Sequence, residues 1–61
     1  MNPTTFFYGL LLANVRQWSL GRVSFETFSE ANQKLWDAIR AAHLLGPVYA
    51  LVTAQVQPER N

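Results

Sequence analysis

The chain has 61 residues, no cysteine, one histidine and a formal net charge of +1, with 5 Lys and Arg against 4 Asp and Glu. These values exclude a disulfide framework and thiolate metal sites, and they leave no run of like charge of the kind that tracks a nucleic-acid backbone. A chain of about 60 residues buries only about 60% of its unfolded surface, so a single small domain over residues 1–61 needs support from oligomerisation or from docking on a larger partner.

Helix 1 is expected from Pro3 to about Leu20. Asn2 is a good N-cap, and proline suits the first helical position because its missing N–H would be an orphan donor anyway. Within it, Phe6 to Val15 reads FFYGLLLANV, apolar on every side of the helix. Met1 to Thr5 carries no basic side chain, so the segment does not read as a secretory signal. Arg16 and Gln17 interrupt the run short of the roughly 20 apolar residues of a membrane span. A membrane-surface helix normally has a basic polar face, and this one has almost no polar face. The surplus apolar surface therefore marks interface candidates: Phe7, Tyr8, Gly9, Leu11, Leu12, Ala13, Val15 and Trp18. Gly9 and Ala13 share a face at a spacing that lets another backbone approach closely.

Gly21 supplies a left-handed helix end. Ser24 then caps helix 2, with Val23 and Phe28 at the spacing of a hydrophobic staple and Glu26 in the first turn. Two helices joined by Gly21-Arg22-Val23 predict an antiparallel helical hairpin. Helix 2 is expected from Phe25 to about Leu45, with Gly46-Pro47 as its stop. Its seam is Phe25, Phe28, Asn32, Leu35, Ile39 and Ala42, flanked by Trp36 and His43, in the 3,4 spacing of coiled-coil-like packing. The other face carries Glu26, Glu30, Gln33, Lys34, Asp37 and Arg40, with Glu30 and Lys34 placed as an i,i+4 pair. Asn32 in the seam is a polar residue of the type that fixes register and oligomer state. Asn14 in mid-helix 1 is placed to meet it across the hairpin or across a dimer; the alternative is that Asn32 bonds a backbone group or solvent at the edge of the hairpin.

Residues 47–56 fit either a strand alternation or a helical face. Pro47 at a first helical position, and the lack of any partner strand, favour a short third helix. Gln57 to Asn61 reads as a solvated tail.

No catalytic residue, cofactor site or metal site emerges. His43 is the only general-base candidate, and no triad, paired-carboxylate or phosphate-loop pattern surrounds it. Absence of cysteine fits a reducing, cytoplasmic setting.

The stretch from Val15 to Phe28, with Gly21, Val23, Ser24, Glu26 and Phe28 at its matching positions, resembles the short bacterial SHOCT-type helical hairpin. The acid and the Phe are not adjacent here, as they are in that motif. The resemblance implies a small oligomerising or partner-binding hairpin without chemistry of its own, of a kind common among phage and plasmid accessory proteins. Gly21, Val23, Ser24, Thr27, Ser29 and Asn32 are also similar to a repressor helix-turn-helix, after allowance for an inserted Arg22. Glu26 and Glu30 would then face phosphates, and Phe25 would sit where a base-reading side chain belongs, which weighs against DNA.

The expectation is an all-α protein: an antiparallel hairpin plus a short C-terminal helix, in a dimer or larger assembly. Its expected role is a non-enzymatic interaction module, a phage- or plasmid-type accessory regulator that binds itself or covers a host-protein surface. A DNA-binding regulator is the alternative, and a membrane-surface peptide the further one.

Overall fold

The computed structural model describes residues 2–56 and consists of three α-helices: α1 (Pro3–Ser19), α2 (Phe25–Ala41) and α3 (Leu45–Val56). No strand occurs among the described residues, so the ambiguous third segment is helical. The tail expected over residues 57–61 lies outside the described residues.

Local chemistry sets each boundary. The Asn2 side chain accepts a hydrogen bond from the Thr4 N–H at 2.8 Å, and Pro3 follows at the start of the helix. At the other end, Gly21 lies at φ +74°. The Arg22 N–H reaches the Gln17 carbonyl at 3.0 Å and the Gly21 N–H reaches the Trp18 carbonyl at 2.9 Å. This is the paired bonding of a Schellman stop, which satisfies carbonyls that the helix leaves orphaned. Helix α1 therefore ends at Ser19, one residue before the expected end. Ser24 caps α2 through a 3.1 Å bond from the Thr27 N–H to its Oγ, and Glu26 occupies the first turn.

The second boundary corrects the sequence reading. Helix α2 stops at Ala41 rather than near Leu45, and Gly46-Pro47 does not terminate it. The stop is a second Schellman arrangement with His43, at φ +60°, in the left-handed position. The His43 N–H bonds the Arg40 carbonyl and the Leu44 N–H bonds the Ile39 carbonyl, each at 3.0 Å. Leu44 and Ile39 both belong to the hydrophobic cluster, which is the apolar contact that commonly accompanies this motif. Leu45 then opens α3, and the Val48 N–H bonds the Leu44 carbonyl at 3.0 Å. Gly46 and Pro47 fall in the first turn of α3, where a missing proline N–H costs nothing because the first four N–H groups have no helical partner.

Among the described residues each helix contributes one buried side chain to the core: Leu11, Ile39 and Val48. Phe7, Leu35, Trp36, Leu44 and Val52 pack around these three. Helix α1 packs most extensively on α2 and also meets α3. The molecule measures 33 × 31 × 19 Å, so its thin dimension is about two helix diameters. Its Cα radius of gyration is 12.3 Å, against about 10 Å for a compact chain of this length. The core is small because the helices share only a narrow common stripe.

Candidate functional site

The interface candidates on α1 divide into two groups. Leu11 is only 5% exposed and belongs to the core, and Phe7 packs against that core. Both belong to the core stripe, although Phe7 is only half-buried and Leu11 also lines an open cleft. The reason is geometric: positions 7 and 11 are one helical turn apart, on the stripe that meets Ile39 and Val48. Gly9 and Ala13 are exposed on the outer side of α1, and a Cβ built on Gly9 would meet nothing within 4 Å. Leu12, Val15 and Trp18 remain between 41% and 49% exposed.

Tyr8, Leu12 and Val15 form one wall of an open cleft with a volume of about 340 Å³. Leu11 also lines it from α1; Phe28, Asn32 and Trp36 line it from α2, and Val52 from α3. The spacing on α1 is 4 and 3, and on α2 it is 4 and 4, so each helix presents one continuous stripe. No lining residue is charged. The hydroxyl of Tyr8 is buried and finds no hydrogen-bond partner among the described residues.

The seam expected on α2 is realised at its middle. Ile39 is fully buried, Phe28, Asn32 and Leu35 are half-buried, and Trp36 packs against the core. The two ends depart from it. Phe25 is 60% exposed, and Ala42 lies beyond the helix end and is exposed. Early termination at Ala41 removes the last turn that would have turned Ala42 inward. Phe25 keeps an aromatic role: its ring lies 5.6 Å from that of Trp18 and 6.0 Å from that of Phe28. Trp18 stacks on Phe28 with ring centroids 4.6 Å apart and planes 17° apart. Trp18 thus ties α1 to the start of α2 while leaving part of its ring in solvent.

Asn14 and Asn32 do not bond each other among the described residues. Asn14 Nδ2 instead donates to the Phe28 carbonyl at 3.1 Å, crossing from α1 to α2. That carbonyl still has its second lone pair for its own helix, so one side chain ties the two helices without breaking either. The carboxamide of Asn32 makes no hydrogen bond among the described residues, although it lies half-buried in the cleft wall.

The charged residues sit elsewhere. Helix α1 carries Arg16 alone and α3 carries no charge, whereas α2 carries Glu26, Glu30, Lys34, Asp37 and Arg40. The ion pair found among the described residues is Asp37–Arg40 at 3.3 Å, not the expected Glu30–Lys34. It is solvent-exposed, so it contributes at most a few tenths of a kcal/mol. His43 is exposed in the α2–α3 turn, where its backbone conformation is its contribution to the fold. Among the described residues no group of three or more His, Cys, Asp or Glu could hold a metal ion. Among them too, no helix is long and apolar enough to cross a membrane.

Comparison of the chain with protein-family models, with curated proteins and with solved structures finds no match.

Proposed function

We propose that the chain is a small, non-enzymatic protein–protein interaction module that works by covering an apolar surface on itself or on a larger protein. The observation that carries this reading is the imbalance between core and surface. Among the described residues three hydrophobic side chains are buried, while ten large ones, from Phe6 to Leu51, are exposed. The accessible surface is 4602 Å², against about 4,000 Å² for a monomer of this mass. The excess of about 600 Å² lies on a protein whose α1 and α3 hold one charge between them. So many exposed large apolar side chains on so small a chain are what an interaction face would require.

In this reading α1 and α2 run as an antiparallel hairpin. The closeness of Trp18, late in α1, to Phe25 and Phe28, early in α2, supports that order. The charged face of α2 stays in water, and the α1 side meets the partner. The size of the chain and its lack of a catalytic motif suit an accessory regulator of the phage or plasmid kind, and a cysteine-free chain suits the cytoplasm.

Thermal melts across about a 100-fold range of protein concentration, with and without a stoichiometric excess of an apolar dye such as ANS, test the proposal. The expected result is a Tm that rises with concentration, or a folded monomer that binds the dye. A folded monomer with a concentration-independent Tm and no dye binding refutes it.

A further inference from the structure

We infer that the α2–α3 turn is a two-position hinge and that α3 is a detachable lid on the α1–α2 pair. In the second position α2 runs on through Ala42, His43 and Leu44 to Leu45, the chain breaks at Gly46, and a helix starts anew at Pro47. This hinge does not depend on the interaction-module reading.

The turn departs from local preference at three neighbouring points. His43 carries a Cβ and lies at φ +60°, in the region that favours glycine. Leu44 stands at the N-cap of α3, since its carbonyl accepts the Val48 N–H, yet its side chain offers no acceptor to the orphaned N–H groups of the first turn. Asn2 and Ser24 supply that acceptor for α1 and α2. Gly46 is helical although Pro47 follows it, and a proline ring disfavours the helical conformation in the residue before it. One rearrangement relieves all three. Extending α2 by a turn brings His43 to a helical φ. Gly46 takes the extended conformation preferred before proline and stands at the N-cap, where glycine ranks far above leucine. Pro47 then falls at the first helical position, the one that suits it best.

Tertiary packing opposes the shift. Leu44 and Val48 join the cluster around Leu11 and Ile39 with α2 ended at Ala41. On a continued helix Leu44 lies about 140° around the axis from Ile39 and leaves that face. The hold on α3 is nevertheless narrow. Val48 is its one fully buried side chain among the described residues, while Leu45, Tyr49 and Leu51 are exposed. Asn14 bonds α1 to α2, the Asp37–Arg40 pair lies within α2, and the Thr53 hydroxyl donates to the Tyr49 carbonyl inside α3. Among the described residues α3 is therefore attached by the turn and by apolar packing alone. Its 12 residues are too few to hold a helix in water once detached. Release uncovers Leu11 and Ile39 and takes Val52 out of the cleft wall, so the apolar surface that α1 and α2 present depends on the position of the lid.

Native-state amide hydrogen exchange, followed by NMR on the full chain at one protein concentration, tests the hinge. In the wild type the amides of Leu51 and Val52 in α3 are expected to be at least about 10-fold less protected than those of Leu12 in α1 and Leu35 in α2. The Leu44 amide bonds the Ile39 carbonyl in the closed turn and the Arg40 carbonyl in a continued α2, so its protection is expected to follow α2 and not α3. His43→Gly favours the left-handed stop and disfavours the continued helix, and should raise α3 protection relative to α1 on the order of 10-fold. His43→Ala favours the continued helix and should lower the same ratio. If His43→Ala fails to fold, His43→Gly and the wild-type Leu44 amide decide. Amides of α3 that exchange at one common protection with those of α1 and α2 overturn the detachable lid. A Leu44 amide that exchanges with α3, or an α3 protection ratio indifferent to His43→Gly, overturns the second position of the hinge.

Discussion

The two helix stops make a matched test, because the same left-handed position is filled by glycine in one and by histidine in the other. Gly21 sits at φ +74° and His43 at φ +60°. A residue with a Cβ pays roughly 1–2 kcal/mol in this conformation relative to glycine, and histidine pays toward the low end because it is enriched there. In Gly21→Ala the added Cβ meets no atom within 4 Å, so the conformational term stands alone, without a clash. It is partly offset by about 0.4–1 kcal/mol, since alanine has less freedom to lose from the unfolded chain. The net loss is about 1 kcal/mol, which for a domain of this size lowers Tm by roughly 4–8 °C. His43→Gly runs the same exchange backwards, relieving strain while loosening the unfolded chain, and raises Tm by up to the same few degrees. Both melts are followed by circular dichroism at 222 nm and at one fixed protein concentration, because association would otherwise shift Tm by mass action. Shifts in the same direction for the two variants would refute the assignment of both turns to left-handed helix stops.

Three further outcomes follow from the packing. Ile39→Ala empties the centre of a core in which Ile39 is 0% exposed beside Leu11 and Val48, and is expected to cost about 2–5 kcal/mol. Since the total stability of such a chain is only about 0.05–0.15 kcal/mol per residue, the variant should lose most of its helical signal at 37 °C. Tyr8→Phe removes a buried hydroxyl that has no partner among the described residues, so urea denaturation should show equal or greater stability; a loss above about 1 kcal/mol would mean that the hydroxyl is bonded. Asn14→Ala deletes the bond to the Phe28 carbonyl and should lower the urea midpoint by the equivalent of about 1 kcal/mol, with little change in the slope.

Much of the architecture could be read directly from residue chemistry. The caps at Asn2 and Ser24, the glycine stop at Gly21 and the helical class of all three segments follow from side chains that bond or permit backbone groups within a few residues. The apolar seam through Phe28, Leu35 and Ile39 follows from helical periodicity in the same way. What periodicity misjudged was the second turn. Gly46-Pro47 is the stronger stop signal in the sequence, yet the chain turns at His43, because Leu44 gains a place against Ile39 in the core only if α2 ends there.

The division on α1 has the same cause. Composition alone shows that a helix with one charge in Pro3–Ser19 has more apolar surface than a single core stripe takes up. Which side does which was not readable from composition, because Leu11 and Leu12 are chemically identical neighbours. Only the docking of α2 and α3 decides that Leu11 meets Ile39 and Val48, while Leu12 turns 100° away to the rim of the cleft. Likewise the sequence determines that Asn14 and Asn32 are polar residues in an apolar setting. The tertiary structure alone decides that Asn14 is satisfied by the Phe28 carbonyl and that Asn32 is left without a bond among the described residues. Local hydrogen bonding and periodicity act within one helix and are written in adjacent residues, whereas the choice of buried face depends on which distant side chains compete for the same small core.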